Sequence, residues 1–130
     1  MDSDLAESVA ALKEIFAKRN LPVRFGKAEA AKVEEMRKAY RIPSRYRSFL
    51  LAADPTDVET VTPVERVRLF PCASLASEQT LGGKRTDEIP QWRKTWIVIA
   101  RSALLGDPYF LDVSKLDAEG DCPVYTCMLG

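Results

Sequence analysis

The stretch that decides the fold is Thr95-Trp96-Ile97-Val98-Ile99-Ala100. Its residues are apolar and rich in β-branched and aromatic types, so it predicts a central strand covered on both faces. The residues C-terminal to it keep the same texture. Gly106-Asp107-Pro108 reads as a turn, and Tyr109-Phe110-Leu111-Asp112-Val113 as a second strand. Ala118-Glu119-Gly120-Asp121 is another turn before a third strand, Pro123-Val124-Tyr125-Thr126-Cys127-Met128. Strands joined by such short turns predict an antiparallel meander.

Upstream of this core the period changes. Leu5, Val9, Leu12 and Phe16 make one apolar stripe at helical spacing, with Asp4 and Glu7 placed as a capping box and Asn20 and Pro22 ending the helix. A second helix is expected over about Lys27–Tyr40, with Val33, Met36 and Tyr40 on one face and a Glu34–Lys38 ion pair on the other. Ile42-Pro43-Ser44 restarts the chain into a third helix, Ser44–Ala53, burying Tyr46, Phe49 and Leu50. Between helices and meander, Val64–Phe70 alternates as a strand with Val67 and Leu69 on one face. Ala73–Leu81 reads as a helical turn or helix, and Gly82-Gly83 as an exposed loop. Helices first and strands later define an α+β domain. N-terminal helices are expected to pack on a mostly antiparallel sheet from the C-terminal two-thirds, a mixed sheet being the alternative.

The chain's 130 residues fit a single domain, 1–130, with enough length to bury a core. Its 19 basic and 19 acidic residues cancel, which argues against a dedicated nucleic-acid binder. The cancellation hides blocks: net −3 over 1–17, +7 over 18–47, −4 over 48–65, +4 over 66–101 and −4 over 102–130. These blocks either neutralise one another in the fold or leave an acidic C-terminal face for a basic partner.

Histidine is absent. That removes Ser-His-Asp and Cys-His nucleophile systems, His-containing zinc sites and any imidazole base. Cys72, Cys122 and Cys127 form no C-x-x-C pair, and three cysteines do not make a disulfide framework, so reduced thiols in a cytoplasmic protein are expected. The acidic start of the chain has no apolar targeting core, and Phe49–Ala53 and Trp96–Ala100 are too short to cross a membrane.

Asp117-x-Glu119-x-Asp121 alternates like a calcium loop but lacks the glycine and terminal glutamate, so turn chemistry explains it better. Gly82-Gly83-Lys84-Arg85-Thr86 lacks the phosphate-loop pattern. Trp92 and Trp96 are conspicuous, Trp96 as core and Trp92 as the more exposed of the two, in a residue type enriched at interfaces.

The order of landmarks resembles the SUKH superfamily, named for fungal cell-wall-synthesis regulators and bacterial toxin-immunity proteins. The resemblance spans about residues 40–126. It rests on Ile42-Pro43-Ser44-Arg45-Tyr46 with Phe49-Leu50, then Trp96–Ala100, Gly106-Asp107-Pro108-Tyr109-Phe110-Leu111-Asp112, and Pro123-Val124-Tyr125. The chain departs from the pattern at Ala52-Ala53-Asp54-Pro55, where Asn-Gly is common, and at Ala100, where Gly is common. The resemblance implies a non-enzymatic domain without cofactor, metal or catalytic residues. Bacterial members of this size bind and neutralise a cognate toxin, frequently a nuclease. A regulatory interaction module without a toxin, and a small metal-dependent hydrolase using aspartates, are the alternatives. Partner-binding candidates are Trp92, Asp107, Tyr109, Asp112, Asp117, Glu119 and Asp121. Trp96, Gly106 and Tyr125 are expected to hold the fold. No nucleic-acid or membrane contact is expected.

Overall fold

The computed structural model describes residues 3–18, 23–61, 66–103 and 105–127. The apolar run at Trp96 becomes strand β6, Trp96–Ser102, counted after five earlier strands: β1 Val23–Gly26, β2 Asp54–Val61, β3 Arg66–Leu69, β4 Thr80–Leu81 and β5 Lys84–Arg85. Strands β7, Pro108–Asp112, and β8, Val124–Thr126, complete the meander. The main sheet has the order β1-β2-β3-β6-β7-β8, every pairing antiparallel, and β4-β5 form a separate hairpin. The mixed-sheet alternative is thereby set aside. Helices α1 Ser3–Lys18, α2 Ala30–Tyr40 and α3 Ser44–Ala53 come from the N-terminal part, giving the α+β order expected.

Several local expectations are corrected. The α2 helix begins at Ala30 rather than Lys27, because Val23–Gly26 is drawn into the sheet edge opposite β2. The register of that pair shifts between Arg24 and Phe25, beside Pro55, which has no N–H to give. Glu34 pairs with Arg37, three residues on, rather than with Lys38; both carboxylate oxygens accept the Arg37 Nε proton at 2.9 Å. The planar guanidinium fork suits a carboxylate better than an ammonium does. Over residues 72–81 the helical-turn reading holds in the 3-10 turn Cys72–Ser74, with strand β4 following in place of a longer helix, and Gly82-Gly83 is exposed as expected, at the tip of the β4–β5 hairpin. The roles assigned to Asn20, Pro22, Val64 and Met128, and the Phe16 side chain in the α1 stripe, lie outside the described residues.

The core is built where the helical and strand periods meet. Val33 and Met36 of α2, Ile42, and Leu50 of α3 pack with Phe70, Leu75, Ile97 and Val98. Ile42, Leu50, Leu75 and Val98 are fully buried, each worth about 1.5–3 kcal/mol in transfer from water. Asp54, at the α3–β2 junction, is buried and accepts the Cys72 N–H at 2.8 Å, pinning the 3-10 turn onto the helix end. Burial pushes its carboxyl up, against the lowering effect of that hydrogen bond.

Strand β3 ends at Leu69, so β6 loses its neighbour before its own apolar run is covered. The Gln79 side chain takes the missing place. Its amide nitrogen donates to the Val98 carbonyl at 2.8 Å and its oxygen accepts the Val98 N–H at 2.9 Å. The same nitrogen donates to the Leu75 carbonyl at 2.9 Å, so a buried amide satisfies three backbone groups.

Candidate functional site

Alternation along the meander separates two faces. Leu111 stands opposite Ile97 and Val124, while Phe110 stands opposite Val98 and Tyr125. The Leu111 face looks into an apolar cleft of about 280 Å³ with Leu5 of α1 and Tyr46 and Phe49 of α3. Arg45 and Asp121 close its margin, paired at 3.5 Å.

The Phe110 face carries an aromatic cluster. Trp96 and Phe110 have ring centroids 5.1 Å apart, and Phe110 and Tyr125 5.9 Å apart, so three adjacent strands each contribute one ring. Trp92, from the loop before β6, meets Phe110 at 4.9 Å and Trp96 at 5.2 Å, edge to face in both cases. Its indole N–H donates to the Trp96 carbonyl at 2.9 Å. Phe110 is buried as the floor, whereas Tyr125 is 38 % exposed. A depression of about 320 Å³ lies over this floor, bounded by Arg93, Trp96, Asp112, Lys115, Tyr125 and Thr126. Arg93 and Trp96 also line a groove of about 380 Å³ that runs back to the end of α2.

Two cations flank the rings. The Arg93 guanidinium lies 5.5 Å from the Trp96 ring centre, and the Lys115 ammonium 5.2 Å from that of Tyr125, with Nζ donating to the Tyr125 hydroxyl at 3.2 Å. Both cations are thus held by π-faces.

Asp112 lies in register with Trp96 and is only 3 % exposed. It accepts the Ser114 hydroxyl at 2.6 Å and the Ser114 N–H at 3.1 Å. These Ser114 bonds, helped by side-chain hydrogen bonds from Thr95 and Trp96, hold its carboxyl below the usual range. Asp112 therefore orients the β7 turn and Trp96 and presents little surface to a partner.

The other sequence candidates fall elsewhere. Trp92 is half-buried at the centre of the cluster. Asp107 forms the β6–β7 turn, where its carbonyl accepts the Ser102 N–H at 2.8 Å, and Tyr109 sits within β7 opposite Ala100 and Thr126. The acidic turn is docked on the start of α3. Asp117 closes it by accepting the N–H groups of Glu119 and Asp121 at 2.9 and 3.0 Å. Arg45 reaches both Glu119 and Asp121 at 3.5 Å, and the Gly120 carbonyl accepts the Arg45 N–H at 3.4 Å. Carboxylates at a helix start are favoured by its dipole. The structure thus places Trp92 and Asp112 each beside Trp96 and leaves Asp117, Glu119 and Asp121 as a separate group.

Arg93, Phe110 and Lys115 carry no sequence motif that marks them as functional. The usable signal is the four-residue spacing of Trp92 and Trp96 with a base directly after the first, plus Phe110 and Asp112 two apart on one strand face. Burial, with nearby Asp121, Asp112 and Asp117, pushes the Cys122 thiol up to about 11, and burial likewise raises Cys72 and Cys127. Such thiols are poor nucleophiles at neutral pH. Among the described residues no three Cys, Asp or Glu side chains come together in a way that could hold a metal ion, and no helix is long and apolar enough to cross a membrane. No family model, curated protein or solved structure matches the chain.

Proposed function

We propose that the chain is a non-enzymatic protein-binding domain, an immunity protein of the SUKH type that binds and neutralises a bacterial toxin in the cytoplasm. The observation that carries this reading is the ring cluster of Trp96, Phe110 and Tyr125 across three strands, open to solvent at Tyr125 and flanked by Arg93 and Lys115. Trp, Tyr and Arg dominate the energetics of protein interfaces, and rings locked by their neighbours lose little entropy on docking. The order of sequence landmarks supports the same reading.

The test is capture followed by rescue. The tagged chain is expressed in its source organism, the bound protein is identified by mass spectrometry, and its gene is expressed in a second host. Growth arrest relieved by co-expression of this chain through a stoichiometric complex supports the reading. Growth arrest that persists despite a folded, expressed chain, or a captured protein without toxicity, overturns it.

A further inference from the structure

The geometry points to the depression over Phe110 as the docking site for an acidic loop of a partner protein, with one carboxylate side chain of that loop seated between Arg93 and Lys115. This rests on the protein-binding reading above and assigns its surface and the partner's chemistry.

Three observations carry it. The first is charge left over. Neither Arg93 nor Lys115 belongs to an ion pair among the described residues, although both are fixed in place over rings. The second is that the nearest carboxylate, Asp112, is 3 % exposed, accepts both the hydroxyl and the N–H of Ser114, and forms no ion pair with either cation among the described residues. Asp112 is the one carboxylate among the residues bounding the depression, and it is turned to the Ser114 turn rather than paired with Arg93 or Lys115. The third is fit. A depression of about 320 Å³ has the volume for one or two side chains, and its buried Phe110 floor lowers the local dielectric, which strengthens a carboxylate–cation contact.

Aromatic rings with cations also suit single-stranded nucleic acid, but a nucleic-acid groove must carry bases along a backbone track. Here only two cations border the depression, and the segment that leads into β8 carries Asp117, Glu119 and Asp121. An acidic loop on a protein matches this local pair of charges better than a phosphate chain does.

The chain's two tryptophans, Trp92 and Trp96, both belong to this cluster, so its intrinsic fluorescence reports on the site. The experiment titrates the purified chain with a synthetic peptide of alternating glycine and glutamate, a lysine counterpart, and a short oligothymidylate. Emission and the amide and indole signals of Trp96, Tyr125 and Thr126 are followed. The glutamate peptide is expected to give a saturable change at these signals that weakens with salt, with little response to the other two probes. Arg93→Glu with Lys115→Glu is expected to weaken it roughly tenfold or more, and Arg93→Gln with Lys115→Gln by less, with melting temperatures unchanged. No saturable change, changes centred on α2, undiminished binding by the glutamate variant, or tighter binding of the oligothymidylate overturns the proposal. If the chain still relieves toxicity when this titration fails, the protein-binding reading stands and only the assigned surface falls.

Discussion

The Trp92 indole N–H donates to the Trp96 backbone carbonyl at 2.9 Å, and the two rings meet at 85°. This one contact ties the loop before β6 to the first residue of that strand. It also sets the edge of the cluster on which Arg93 rests. Trp92→Phe keeps a ring and loses the hydrogen bond, at a cost of about 1 kcal/mol. Trp92→Ala loses the packing as well, at about 3 kcal/mol. Urea unfolding measures both, and equal losses would show that the hydrogen bond rather than the ring holds the loop.

Gln79 substitutes for a strand beside Val98, and no other side chain has the amide's paired donor and acceptor in that length. Gln79→Leu keeps the volume and leaves the Val98 N–H and carbonyl without their partner in the interior. The expected loss is about 3 kcal/mol, read from urea unfolding. Amide exchange at Val98 is expected to accelerate beyond the global change in stability.

Gly120 holds the acidic turn against α3. Its φ is +75°, and a Cβ there would run into the Ser44 hydroxyl oxygen. Gly120→Ala therefore combines backbone strain with a collision at the helix start. A loss of about 2 kcal/mol is expected in thermal unfolding, against about 1 kcal/mol for Arg45→Gln, which removes the part-buried guanidinium that pairs with Glu119 and Asp121.

The Asp112 carboxyl is held below its ordinary value in the folded state, chiefly by the Ser114 hydroxyl. Its contribution is fully present above the unfolded carboxyl pKa and is lost as pH falls through the lower, folded one. Asp54 has the opposite sign, because burial raises its carboxyl and the native state binds its proton more readily. Denaturant midpoints collected between about pH 5 and pH 2 should therefore fall less steeply in Asp112→Asn than in the parent, and more steeply in Asp54→Asn.

The meander was legible in the sequence because its strands are bounded by turn residues and carry apolar, β-branched runs; Ser44–Ala53 was legible through Pro43 and the Tyr46, Phe49 and Leu50 spacing. The short strand Val23–Gly26 was not. Its four residues include Arg24 and Gly26, and only the exposed edge of β2 recruits them. Gln79 was equally hidden, since its role depends on β3 ending early, a tertiary fact. The charge blocks were visible but their placement was not. The acidic block at the C-terminus spends part of its charge on Arg45 and on its own turn, while Arg93 and Lys115, from blocks of opposite sign, come together over Phe110.

Whether partner binding uses the aromatic face is measured most directly by calorimetric titration of the purified toxin partner. Three chains are compared: the parent, Arg93→Glu with Lys115→Glu, and Glu119→Lys with Asp121→Lys. Docking over Phe110 predicts roughly tenfold or greater weakening in the first variant and little change in the second. Full affinity in the first with loss in the second would contradict it and place the interface on the acidic turn.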